Sequence, residues 1–167
     1  MIQIKDNFFS DINKIKESLQ KIPVYSDQDW EANFGEKINW QGTRSLDFKS
    51  SHSNLFDTIK NNIQDTFEKK YIINTMCLHE RKDDKMNPHV DNNDSDTNCL
   101  IFVTGKEGFC NGTGFYNDKE LSIAVGFKEN RALLFPSNHL HSCMQALYPD
   151  TATSRVTINC FMSVVEN

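Results

Sequence analysis

The segment Pro88-His89-Val90-Asp91 has the residue types and spacing of part of a metal site. On a strand, residues i and i+2 project to the same face, so the imidazole of His89 and the carboxylate of Asp91 converge on one point. That supplies two of the three ligands of a 2-His-1-carboxylate centre. The third must come from a distant strand. Asn138-His139-Leu140-His141, about fifty residues downstream, offers two candidates, His139 and His141, and both have the same strand parity.

A second polar group accompanies these ligands. Arg155-Val-Thr-Ile-Asn-Cys-Phe-Met begins fourteen residues after His141. It reads as a strand with Arg155, Thr157 and Asn159 on one face and Val156, Ile158 and Cys160 on the other. A guanidinium turned into a barrel of aliphatics is costly unless it meets an anion, and its planar fork suits a carboxylate. An inward Arg155 therefore asks for a carboxylate ligand.

The elements that position these residues follow from hydrophobic periodicity. Phe8, Phe9, Ile12, Ile15, Leu19 and Ile22 recur at helical spacing and predict a helix over about residues 8–21, capped by Asp6 or Ser10 and ended by Pro23. Leu55, Phe56, Ile59, Ile63 and Phe67 predict a second helix, with Ser51 or Ser53 as its cap. Residues 23–50, with Trp30, Phe34 and Trp40, read as an irregular layer holding one or two short strands. From Tyr71 onward the runs 71–79, 99–104, 114–116, 121–127, 132–136, 139–147 and 155–165 read as strands. The fold class expected is mainly β with N-terminal helices, a double-stranded β-helix or jelly-roll. Residues 1–167 read as a single domain, with a helical support layer and irregular segment over 1–70 and the jelly-roll core over 71–165.

His89-x-Asp91, His141 and Arg155-x-Thr157 resemble the H-x-D…H…R-x-S/T pattern of the iron(II)- and 2-oxoglutarate-dependent dioxygenases. The resemblance covers about residues 71–165 and points to the prolyl-hydroxylase-like branch, which includes compact phage and bacterial members. Phe109-Cys-Asn-Gly-Thr-Gly-Phe-Tyr116 is similar to the glycine-rich turn and strand before the second half of that barrel, and Leu133-Leu-Phe-Pro-Ser-Asn-His-Leu-His141 to the segment that delivers the distal histidine. The resemblance implies that His89, Asp91 and His141 are the metal ligands and catalytic centre, binding Fe(II) and leaving three positions for 2-oxoglutarate and O2. Arg155 would pair with the far carboxylate of 2-oxoglutarate and Thr157 would add a hydrogen bond. The implied reaction hydroxylates a peptide or protein side chain, or a small amino-acid-like substrate, with release of succinate and CO2. The chain departs from that branch in having no tyrosine over residues 76–87, where one usually contacts the cosubstrate. His79 is a candidate stand-in; otherwise it reads as a half-buried structural histidine. Arg44 and Arg131 read as making surface or loop contacts.

Composition bounds the alternatives. A net charge of −5, with no Lys/Arg stripe, argues against nucleic acid as a partner, and Arg155 is not followed by the second arginine typical of nucleic-acid demethylases. No apolar run approaches the roughly 20 residues of a membrane span, and the first residues lack a basic region followed by an apolar stretch, so a cytoplasmic protein is expected. The five cysteines form no C-x-x-C pair and read as reduced, buried thiols. The acidic loop 91–98 fails as an EF-hand, because the sixth and twelfth positions are Asp96 and Phe102 in one register and Cys99 and Gly105 in the other. The rival reading is a cupin-like jelly-roll that holds a metal or small ligand without turnover. It accounts for the H-x-D and the distal histidine but gives Arg155 no ligand to bind.

Overall fold

The structure, a computed structural model, describes residues 1–37, 42–81, 87–91, 95–147 and 154–165. The elements in chain order are β1 (Gln3–Lys5), α1 (Ile12–Leu19), α2 (Asp27–Phe34), β2 (Thr43–Arg44), α3 (Phe48–Ser51) and α4 (Ser53–Phe67). They are followed by β3 (Tyr71–Arg81), β4 (Thr97–Thr104), β5 (Gly108–Asn117), β6 (Glu120–Phe127), β7 (Arg131–Pro136), β8 (His141–Cys143) and β9 (Arg155–Val164). A six-stranded sheet in the order β1-β7-β4-β9-β3-β2 faces a three-stranded sheet in the order β6-β5-β8. Every pairing in both is antiparallel. This is the double-stranded β-helix expected from the sequence, and the N-terminal segment adds both edge strands of the larger sheet.

Alternation along the strands builds two apolar layers. Met76, Leu78, Ile101, Leu134, Ile158 and Met162 face the helices and meet Ile59 and Ile63 of α4 and Ile15 and Leu19 of α1. Leu100, Phe102, Leu133 and Phe135 turn the other way and fill the space between the sheets with Phe115, Val125 and Phe127. Each fully buried Ile or Phe contributes about 1.5–3 kcal/mol relative to its exposed state. The face of β9 opposite this helix-facing layer is the one left for Arg155 and Asn159.

The helix boundaries differ from the sequence expectation for identifiable reasons. α1 starts at Ile12 because Asp11, not Asp6 or Ser10, accepts the amides of Asn13 and Lys14. Phe8 and Phe9 are buried as the periodicity implies, but their backbone is committed to Asn130 instead of a helix. Phe8 N–H donates to Asn130 O at 3.0 Å, Phe9 N–H donates to Asn130 Oδ1 at 2.8 Å, and Asn130 Nδ2 donates to Phe9 O at 2.9 Å. At the start of α4 the cap position is His52, which makes no side-chain capping bond, because Ser51 belongs to α3 and bonds back to Asp47 O.

The segment 23–50 is more ordered than its composition suggested. α2 carries a capping box, with Ser26 bonding the Asp29 amide and Asp29 reaching back to the Ser26 amide, and Gly35 closes it at φ 70°. β2 is the one short strand in its described part; Trp40 lies outside the described residues. Later in the chain, β5 begins at Gly108 rather than 114, and the run 139–147 is a strand only over His141–Cys143. Residues 137–140 turn first, with His139 N–H donating to Pro136 O at 3.0 Å, and a 3-10 turn follows at Met144–Leu147.

All five cysteines are free, and Cys77, Cys99, Cys143 and Cys160 are buried. Burial pushes the thiol pKa values of Cys77, Cys99 and Cys160 above the ordinary range. Among the described residues, no helix is long and apolar enough to cross a membrane.

Candidate metal centre

His89 and His141 are brought together by their own backbones. Each amide donates to the other's carbonyl at 2.9 Å, an isolated antiparallel bridge that turns both side chains to one side. The rings lie 4.7 Å apart, and Asp91, two residues beyond His89, reaches the same point. His89 Nε2 is 3.6 Å from Asp91 Oδ1 and His141 Nε2 is 3.4 Å from Asp91 Oδ2. One ligand atom from each of the three residues lies within 4.8 Å of the others. His139 is not part of this cluster. Its carbonyl holds His141, and its ring packs 5.3 Å from Phe115.

The surroundings of the cluster fit a metal. His141 Nδ1 lies 2.9 Å from His139 O and His89 Nδ1 lies 3.2 Å from Asn87 O. A carbonyl only accepts, so each Nδ1 carries the ring proton, and the Nε2 lone pairs remain on the side of Asp91. Burial lowers the pKa of His141 below its ordinary value against the opposing pull of Asp91, which keeps the imidazole in its ligating form. Asn98 Nδ2 donates to Asp91 Oδ2 at 2.5 Å and fixes the carboxylate.

The cluster opens onto a cavity of about 360 Å³ that Arg155 also lines. Arg155 is 4% exposed, and its Nη1 donates to Asn111 O at 2.8 Å and to Gly112 O at 2.5 Å. Gly112 also lets β5 lie close against β6, because a Cβ there would run into Val125 O of that strand. Asn111 is itself held by Gln145 Nε2 at 3.0 Å. Thr157 is buried on the same strand, and its Oγ1 donates to Asn159 Oδ1 at 2.9 Å. Asn159 lines the cavity, and its Nδ2 lies 3.1 Å from Nδ1 of His79, a third cavity-lining residue. Burial, followed by the charges of Arg44, Arg81 and Arg155, holds His79 well below the ordinary histidine pKa.

The fold that carries this cluster is found in known proteins. No family model matches the sequence, and no curated protein does. Solved structures do match. The viral collagen prolyl hydroxylase of Paramecium bursaria Chlorella virus-1, as its 2OG complex, superposes at a TM-score of 0.67 and 11% identity, over 98% of this chain and 96% of that one. HygX of Streptomyces hygroscopicus, with nickel and 2-oxoglutarate bound, gives 0.68 at 8% identity, over 97% and 82%. A prolyl hydroxylase of Trichoplax adhaerens, in complex with a hypoxia inducible factor peptide fragment, gives 0.62 at 9% identity, over 97% and 83%. This chain has the fold of the 2-oxoglutarate and iron oxygenases.

Within this oxygenase fold, three residues near the cluster escaped the sequence reading. Arg44, expected to make surface or loop contacts, lines the cavity, with its Nε 3.1 Å from Cys77 Sγ and its guanidinium 5.7 Å from the Phe161 ring centre. It gets there on a two-residue strand paired with His79 and Glu80, a placement set wholly by long-range pairing. Arg81 lines the cavity at the end of β3. Asn98 was read as the end of the acidic loop, but β4 begins at Thr97, which gives Asn98 the same parity as Leu100 and Phe102. Arg131, by contrast, is tied to Asp6 at 2.6 and 3.1 Å, away from the site. Residues 82–86 and 92–94 lie outside the described residues.

Proposed function

We propose that the chain is an Fe(II)- and 2-oxoglutarate-dependent oxygenase that hydroxylates a peptide or protein side chain, or a small amino-acid-like molecule. The observation that carries this reading is the His89–Asp91–His141 cluster, with both Nδ1 atoms held by carbonyls, in the same cavity as the buried Arg155. His89, Asp91 and His141 would hold Fe(II), and Arg155 would pair with the far carboxylate of 2-oxoglutarate, with Thr157 serving that subsite through its hydrogen bond to Asn159. Bound iron and 2-oxoglutarate supply oxygen activation, coupled to decarboxylation of the ketoacid to succinate and CO2.

The chain's own residues do the rest. Asn98 fixes the Asp91 carboxylate, and the carbonyls of Asn87 and His139 fix the two imidazoles, so the ligand set is organised before metal arrives. The carbonyls of Asn111 and Gly112 aim the Arg155 guanidinium and hold its fork in place for a planar anion. Phe115 and Phe135 flank His141, with ring centres 6.3 and 4.9 Å away, and exclude water from that side. A peptide substrate is supported by the Trichoplax adhaerens neighbour, which binds one.

The test is anaerobic titration of Fe(II) into protein with 2-oxoglutarate, followed by the visible charge-transfer band that forms only when the ketoacid chelates the metal. The expected result is a band in the wild type that is lost in Arg155→Ala, and succinate release once oxygen and a substrate are supplied. Iron binding with no band would refute the oxygenase reading in favour of a cupin-like metal-binding barrel.

A further inference from the structure

His79 lines the same cavity as Arg155 and is 6% exposed. The partner of its Nδ1 is the amide nitrogen of Asn159, at 3.1 Å. An amide nitrogen only donates, so Nδ1 accepts and the ring proton sits on Nε2. Asn159 keeps that orientation because its Oδ1 accepts the Thr157 hydroxyl at 2.9 Å, which also commits the Thr157 proton within the strand. At the far end of this relay, His79 Nε2 is buried with no hydrogen-bond partner among the described residues. A buried donor left without an acceptor is destabilising and rare, so it marks where the acceptor of a ligand belongs.

We propose that His79 Nε2–H, together with Arg155, binds the far carboxylate of 2-oxoglutarate, and that Thr157 acts on that ligand through Asn159 by fixing the His79 tautomer. The inference rests on the cosubstrate site proposed above and names the residue that delivers its second hydrogen bond. Register places the parts together: His79 opposes Thr157 across the β3–β9 pair, and Arg81, two residues on, opposes Arg155. The carboxylate accepts a charged fork from Arg155 and a neutral, directional N–H from His79. The imidazole stays neutral through the working pH range because burial and the charges of Arg44, Arg81 and Arg155 all oppose its protonation.

The experiment measures 2-oxoglutarate binding calorimetrically to the full chain loaded with Zn(II), comparing wild type, His79→Gln and His79→Asn. The glutamine amide nitrogen reaches the position of Nε2, whereas asparagine reaches only that of Nδ1. Removing a hydrogen bond to a charged acceptor weakens binding by roughly 10- to 100-fold, the loss expected for His79→Asn, with His79→Gln staying near wild type. Equal weakening in the two variants, or normal binding by His79→Asn, overturns the proposal. Long-range proton–nitrogen NMR spectra of the Zn(II)-loaded wild type give a second readout. They are expected to show one buried histidine protonated only at Nε2, with that signal shifting when 2-oxoglutarate is added; a proton on Nδ1 overturns the proposal. Asn159→Ala keeps His79 and removes its lock, and is expected to mix the tautomers and weaken binding severalfold, which keeps the test open if the His79 variants misfold. A wild type that binds metal but not 2-oxoglutarate refutes the proposed function itself, an outcome distinct from a loss or retention confined to the variants.

Discussion

Replacing Asn98 with leucine separates what that side chain does for the metal from what it does for the fold. Asn98 is 3% exposed and donates to Asp91 Oδ2 at 2.5 Å, while its own Oδ1 is buried with no partner among the described residues. Leucine has nearly the same shape and removes both features together. Relief of the buried oxygen contributes about 1–3 kcal/mol, and loss of a hydrogen bond to a charged group costs about 1.5–3 kcal/mol, so the two largely offset and the metal-free protein should change by at most about 2 kcal/mol. Metal binding has no such compensation. A loosened carboxylate ligand costs about 2 kcal/mol, or roughly 30-fold in affinity. With Co(II) as an oxygen-stable probe at about 100 times the wild-type Kd, metal-induced stabilisation should fall from about 2.7 to about 0.9 kcal/mol. The assay is denaturant unfolding with and without Co(II), alongside direct titration. A Co(II) affinity within a few-fold of wild type would refute the role given to Asn98, and a large loss of metal-free stability would show that it serves the fold instead.

His141→Ala is expected to abolish Fe(II) binding while His139→Ala retains most of it, because only the first removes a ring nitrogen that faces Asp91; equal retention in an anaerobic titration would overturn the ligand assignment. Asn130→Ala removes two side-chain bonds to the Phe9 backbone at a position with φ 62° and should destabilise by about 2–3 kcal/mol, read from urea unfolding midpoints. The folded pKa values of His79 and His141 lie below the ordinary value of 6.5, so below that pH the unfolded chain binds more protons than the native one. Metal-free stability should therefore fall on acidification from pH 6.5 towards 5, by up to about 1.4 kcal/mol per pH unit for each group, and His79→Gln should remove one group's share of that slope.

The parts of this site that were legible in the sequence depend on local alternation. His89 and Asp91 share a face by spacing alone, and Arg155 and Asn159 turn away from Ile158 and Cys160, as the pattern of β9 requires. The choice between His139 and His141 was legible only through the family resemblance, because parity treats them alike. It is set by the turn after Pro136, which leaves His139 outside the strand, and by the backbone bridge from His89. Arg44 and Asn98 were missed because the position of the first comes from its pairing with His79, 35 residues along the chain, and that of the second from the exact start of a strand. α2 is a different kind of miss: Ser26-Asp27-Gln28-Asp29 and Gly35 spell out both of its ends, and the aromatic residues between them drew the reading towards an irregular layer. The α1 boundary moved because Asn130, more than a hundred residues away, claims the backbone of Phe9.

The order of strands in the larger sheet bears on how the chain reaches this state. β9 lies between β4 and β3, so residues 155–164 join two otherwise separate pieces, β1-β7-β4 and β3-β2. Until it docks, β3 and β4 each present an open edge lined by side chains such as Ile73 and Ile101, the kind of surface that pairs with other chains. Synthesis of the first 150 residues therefore yields no half-sheet with partial activity. A nascent or truncated chain lacking β9 is expected to aggregate or be held by chaperones, and assembly of the sheet waits for its central strand.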